Sequence, residues 1–180
     1  MSEDQIEKAY EFCGRLANMD KDEKARLKRA AGKTISEASG AAQLVFYRML
    51  PEGVDVFQEE TFFLLATLHP LTSPSKKRAS MGTALRSLRP ISDEAAKAFD
   101  RRVRRLLEAD RARLPFLIRQ SVHLLADHDQ SIHWPTLLID LLNWNSEKRF
   151  VQMRWARDYW ATSADKKALT TEELFPDSQD

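Results

Sequence analysis

The stretch Ser92–Asp110, SDEAAKAFDRRVRRLLEAD, decides the fold class. Ser92 is a helix N-cap, and Asp93 and Glu94 in the first turn complement the positive end of the helix dipole. At 100° per residue Phe99, Val103 and Leu106 fall on one apolar stripe. Arg101, Arg104 and Arg105 fall on the opposite side, with Arg102 on the flank. This is the pattern of a long amphipathic helix that turns arginine to solvent.

The same helical spacing extends in both directions, and no segment sustains the alternation of a strand. Toward the N-terminus, a short helix through Met81, Leu85 and Leu88 ends at Pro90. Before it, LTSPSKKRAS (71–80) has no apolar period and reads as a mobile loop or domain joint. A helix from about Asp55 to Leu68 stops at His69-Pro70, because proline disfavours α geometry in the preceding residue. Ala38, Ala42, Val45, Phe46 and Met49 mark another, halted by Pro51. Capping boxes at Ser2-x-x-Gln5 and Asp20-x-x-Glu23 open the first two helices, and Gly32 stops the second. Toward the C-terminus, Leu114, Ile118, Val122 and Leu125 mark a helix, and Trp134-Pro135 starts another. Asn145 or Ser146 is the expected cap of the last, which runs to about Thr162.

The expectation is an all-α fold, a compact bundle of about eight helices, with two packed helical halves joined near 71–91 as a variant arrangement. Residues 1–163 are expected to form a single helical domain and 164–180 an acidic, disordered tail.

Composition excludes several function classes. The 180 residues contain 5 glycines, none spaced as a nucleotide-binding loop. One cysteine, Cys13, permits neither an internal disulfide nor a cysteine zinc cluster, so no cofactor is expected. The longest apolar run, Phe62 to Leu68, is too short to span a bilayer, and the acidic N-terminus lacks the form of a signal peptide. The expected location is the cytoplasm, without membrane contact.

The formal net charge of +1 conceals an uneven distribution. Residues 76–119 hold 13 basic and 5 acidic groups, net +8, whereas residues 1–75 are net −3 and 120–180 net −4. A solvated charged face is the common reason for such a run. Here few acids stand four residues from the arginines, and arginine suits bidentate phosphate contact. Lys76, Lys77 and Arg78, then Arg86 and Arg89, extend the sign along the chain, so a polyanion-binding surface is favoured. Trp134, Trp144, Trp155 and Trp160 read as core.

One catalytic alternative lies in HLLADHDQSIH (123–133). Its His128-Asp129 dipeptide is that of HD-type metal phosphohydrolases, with His69 and Asp140 or Asp158 as the remaining ligands. The competing reading is a polar interhelical loop. Cys13 lies on an apolar helix face, which suits a buried small hydrophobe better than a nucleophile.

The runs SMGTALRSL (80–88), RRVRRLLEADR (101–111), LIRQSVHLL (117–125) and HWPTLLIDLLNW through VQMRWARDYW (133–160) together resemble the CasB family, as do ARLKRA (25–30) and LLATLHP (64–70). That family is the small subunit of the type I-E CRISPR Cascade. The resemblance implies a helical, non-enzymatic protein that binds target DNA and helps hold the displaced strand of the guide RNA–DNA R-loop. It also implies the large subunit, the backbone subunits and a second copy as protein partners. The family's basic groups fall here on Lys28, Arg29, Lys77, Arg78, Arg86, Arg101, Arg102, Arg111, Arg119, Lys148 and Arg149, and Arg105 joins them on the exposed face. The family's usual basic residue after Gly82 is Thr83 here, with Arg86 as its substitute. A helical adaptor whose basic strip docks on an acidic protein is the remaining alternative.

Overall fold

The computed structural model describes residues 2–161. The expected tail at 164–180 lies outside them.

Among the described residues nine α-helices follow in order: α1 Glu3–Ala17, α2 Lys21–Arg29, α3 Gly40–Met49, α4 Val56–Leu68, α5 Met81–Ser87, α6 Asp93–Leu107, α7 Leu114–Asp127, α8 Trp134–Leu142 and α9 Phe150–Trp160. Local chemistry sets most of their ends. Asp20 and Glu23 close both halves of a capping box at α2. Ser39, Asp55 and Ser80 each accept a backbone N–H at the starts of α3, α4 and α5. Gly32 adopts φ +89° after α2, a conformation open to glycine.

The starts of α6 and α8 fall where expected, whereas that of α9 does not. Ser92 stands at the N-cap of α6, but its side chain makes no capping hydrogen bond. Neither Asn145 nor Ser146 caps α9; Arg149 does so in the left-handed region, φ 47°, and α9 ends at Trp160. At α8 the cap is His133, whose Nδ1 accepts the Thr136 N–H.

Helix α4 is buried over most of its second half, Phe62, Phe63 and Leu65–Leu68, and packs against α2, α7 and α8. Phe12 of α1 and Phe46 of α3 meet it edge to face, with centroids 5.0 Å apart for Phe12–Phe62 and 5.1 Å for Phe46–Phe63. Such pairs contribute about 0.5–1.5 kcal/mol beyond their buried area. At the other end α5 crosses α9 at Gly82, where any Cβ would overlap the Trp155 carbonyl. The buried apolar residues from Ala9 to Tyr159, Ala96 excepted, form one continuous cluster.

The segment expected as a free loop or joint is stitched to the α7–α8 connection. The Ser75 N–H bonds to the Ile132 carbonyl at 2.8 Å, and the Thr72 hydroxyl donates to the Gln130 carbonyl. The joint is therefore crossed by hydrogen bonds between segments almost 60 residues apart, with |i−j| of 58 for Thr72 and Gln130.

Candidate nucleic-acid interface

Helix α6 presents its charge as its spacing predicts. Ala96, Val103, Leu106 and Leu107 are buried, while Arg101, Arg102, Arg104 and Arg105 are all exposed. Among the described residues none of these four is ion-paired. The acid nearest to them in sequence, Asp100, is already occupied. It takes both the Nε (2.9 Å) and Nη2 (3.1 Å) of Arg89, and the Tyr159 hydroxyl at 2.7 Å. Hydrogen bonding from Arg89, then from Tyr159, holds the Asp100 carboxyl below its usual range. Burial, and then Asp100 itself, push the Tyr159 phenol upward. With Asp100 turned toward Arg89, the face keeps a net positive field.

The other predicted residues gather in three neighbourhoods. Lys148 is exposed beside Arg149, whose Nη2 donates to the Leu107 carbonyl at 2.8 Å. That contact puts a cation on the negative end of α6. Arg111 and Arg119 line a groove of about 710 Å³ between the α2–α3 connection, α4 and the start of α7. The Arg119 guanidinium lies against Gly32, just beyond Lys28 and Arg29, which are exposed in the last turn of α2. Lys77 and Arg78 are exposed on the stitched loop, and Arg78 donates to the Tyr10 hydroxyl at 2.8 Å. Arg86 differs from the rest: it is half-buried on α5, and its Nη1 is enclosed without a partner.

The metal reading of His128-Asp129 finds no convergence. Asp129, φ 53°, is the left-handed residue of a Schellman motif in which the Gln130 N–H bonds to the Leu125 carbonyl and the Asp129 N–H to the Ala126 carbonyl. The dipeptide ends α7. Asp140 is buried and bound by Arg154 and by the Trp155 indole N–H, at 2.6 Å for the latter. Asp158 accepts the Ser80 hydroxyl at 2.6 Å. Among the described residues no three His, Cys, Asp or Glu side chains come together as ligands. Cys13 is buried, and burial pushes its thiol up to about 12, far from a thiolate nucleophile.

Several surface residues escape the sequence reading. Trp160, expected in the core, is 39% exposed, whereas Trp134, Trp144 and Trp155 are buried. It shares an exposed stripe of α9 with Phe150, Met153 and Arg157, at i, i+3, i+7 and i+10. Phe57 is 77% exposed at the edge of the groove, and Lys33 lies on the same wall. The spacing of 150, 153, 157 and 160 was a usable signal; nothing local marked Phe57.

No described helix is long and apolar enough to cross a membrane. The family model for CRISPR-associated protein Cse2 matches residues 23–160. A CRISPR-associated protein Cse2 from Thermus thermophilus is 33% identical over 110 residues, 61% of this chain and 62% of the relative, so the match spans less than two thirds of that protein. The crystal structure of M. ruber CasB superposes with a TM-score of 0.71 at 27% identity, covering 91% of this chain and 98% of that one. A chain of a CRISPR RNA-guided surveillance complex shares the fold, with a TM-score of 0.72 at 20% identity over 94% of this chain and 99% of its own. The match over residues 23–160, together with the order of helices and the likeness to CasB, makes this chain a member of the Cse2 family.

Proposed function

We propose that this chain is a non-catalytic small subunit of a Cascade-type complex that binds target DNA and stabilises the displaced strand of the R-loop through its arginine and lysine surface. The observation that carries this reading is the α6 face, with four exposed arginines lacking carboxylate partners among the described residues. In guide-directed recognition base pairing reads the sequence, and the protein needs only a positive track for strands of any sequence. Arginines without a reading head suit that task. The surveillance-complex chain of the same fold supports such an assembly. Its neighbours there would be the large subunit, the backbone subunits and a second copy.

The test is the salt dependence of single-stranded DNA binding by the full chain and by Arg101→Ala/Arg102→Ala/Arg105→Ala. The triple substitution is expected to weaken binding and to reduce the slope of log affinity against log salt by about 2. Loss of affinity with an unchanged slope, or no loss, refutes the α6 track. Absence of any binding to DNA, together with retention of an acidic protein partner, would instead make the basic strip a protein-docking surface.

A further inference from the structure

The groove beside α4 has features that a simple positive track does not need. It encloses about 710 Å³, within the range of about 300–1,000 Å³ typical of small-ligand sites and far too small for a duplex. At its edge the Phe57 ring is 77% exposed, although the rest of α4 buries its aromatics. The ring's backbone is fixed. Arg111 Nη2 donates to the Phe57 carbonyl at 3.2 Å, and the Phe57 N–H donates to Asp55 Oδ1 at 2.8 Å.

Cations line the same groove as this ring. Arg119 lies over the Phe116 ring at 5.5 Å and against Gly32, which combines φ +89° with the absence of a Cβ that the guanidinium would strike. The arginine is thus held in place before any ligand arrives. Lys33 adds a third positive group to the wall. The two acids of the groove are engaged elsewhere: Asp55 caps α4, and Glu60 accepts the Ile35 N–H at 3.1 Å. Gln58 and Asn145 offer amides able to donate or accept toward the edge of any base.

We infer that this groove receives a single unstacked nucleobase of a bound strand, stacked on Phe57, with Arg111 and Arg119 holding the adjacent phosphates. The inference rests on the nucleic-acid reading and sharpens it: the ligand is a single strand with at least one base splayed out, and a paired helix is not. An exposed aromatic ring gives stacking that every base can satisfy, so the pocket demands a base without demanding which one.

The test compares equilibrium binding of the full chain to a twelve-nucleotide thymidine strand, to an abasic strand of equal length, and to a strand carrying one 2-aminopurine. The base-bearing strand is expected to bind about tenfold more tightly than the abasic one. Phe57→Ala, whose removed ring is largely in water, is expected to abolish that tenfold difference, to leave abasic binding unchanged, and to relieve the quenching of 2-aminopurine. Phe57→Trp is expected to retain both the preference and the quenching. Equal affinity for both strands in the parent protein, or a Phe57→Ala variant that keeps the preference, overturns the base pocket. If that occurs while the triple arginine substitution still weakens both strands, the track on α6 survives without the base pocket. Failure of every strand to bind removes both readings together.

Discussion

Helices α6 and α9 lie against each other, yet the arginines of α6 and the pair Arg149 and Arg154, from the cap and body of α9, are used in opposite ways. On α6 Arg101, Arg102, Arg104 and Arg105 are exposed and have no carboxylate partner among the described residues. On α9 Arg154 reaches inward to Asp140, a carboxylate 1% exposed, which also takes the Trp155 indole N–H. At the start of α9 Arg149 closes the C-terminal end of α6. One set holds the scaffold in place, and the other is what the scaffold displays. Residue type alone does not distinguish them; the presence of a buried carboxylate or an orphan carbonyl does.

The hardest way to break this contrast is to remove the carboxylate from the scaffold set. Burial raises the Asp140 pKa even though Arg154 and Trp155 pull it down, so desolvation is the larger influence. Asp140→Ala leaves the Arg154 charge and a buried indole N–H without their partner. The expected loss is about 3–5 kcal/mol, the usual consequence of breaking a buried pair from one side. Chemical denaturation measures it, and a loss below about 1 kcal/mol would show that Arg154 is not a structural strut. The fraction that remains folded should bind DNA with the parent salt slope.

Lowering the pH provides a second, smaller perturbation of the scaffold alone. His69 is 4% exposed, stands 5.2 Å from the Trp134 ring, and has no partner at Nδ1. Burial, assisted by Lys24, lowers its pKa from 6.5 to about 4. In the unfolded chain the imidazole takes up a proton as the pH falls through 6.5, whereas in the folded protein it waits until about 4. Stability is therefore complete above the unfolded value and is lost progressively across that window, by about 3 kcal/mol in total. His69→Phe keeps an aromatic beside Trp134 and removes the proton. Urea midpoints measured at neutral pH and near the folded value should converge for this variant relative to the parent. An identical pH dependence in both would assign the acid sensitivity to other groups.

The sequence made the display set legible and concealed much of the scaffold set. Arg101 to Arg105 follow a helical period, a local property that needs no knowledge of what packs nearby. The same holds for the Asp20–Glu23 box and for Pro135 in the first turn of α8. Asp140, Arg154 and Trp155 meet across an interhelical loop, where helical period gives no pairing, and Asp100 meets Tyr159 at |i−j| of 59, beyond any local window. The cap of α9 failed for a related reason. Asn145 and Ser146 have the right chemistry, but the chain turns through Arg149, whose guanidinium is held by α6, and the helix starts only there. His128-Asp129 was ambiguous because a Schellman turn and a metal dyad use the same two letters; the positive φ of Asp129 and the commitments of Asp140 and Asp158 separate them. Phe57 was invisible because an exposed phenylalanine has the same local signature as a buried one.

The finest test of the contrast uses two arginines of the same region that differ only in what they touch. Arg89 holds Asp100 through two hydrogen bonds, and Asp100 in turn receives the Tyr159 hydroxyl, so Arg89 ties the α5–α6 connection to α9. Arg105 is exposed in the last turn of α6 and is unpaired among the described residues. Each is replaced by alanine, which removes one positive charge in both cases. If charge alone mattered, the two variants would lose the same increment of salt dependence. On the reading developed from the structure, Arg105→Ala lowers the slope for single-stranded DNA by about 0.7 and leaves the melting temperature unchanged. Arg89→Ala lowers the melting temperature and leaves the slope almost intact, because its charge is already neutralised by Asp100. It also frees that carboxylate to face Arg104, four residues along the same helix. Any change in affinity on replacing Arg89 should thus be recovered by the further substitution Asp100→Asn, which removes the newly unmasked acid. Equal slope changes for Arg89→Ala and Arg105→Ala, with no recovery in the double variant, would mean that both arginines lie on the strand's path and that the division between display and scaffold is drawn in the wrong place.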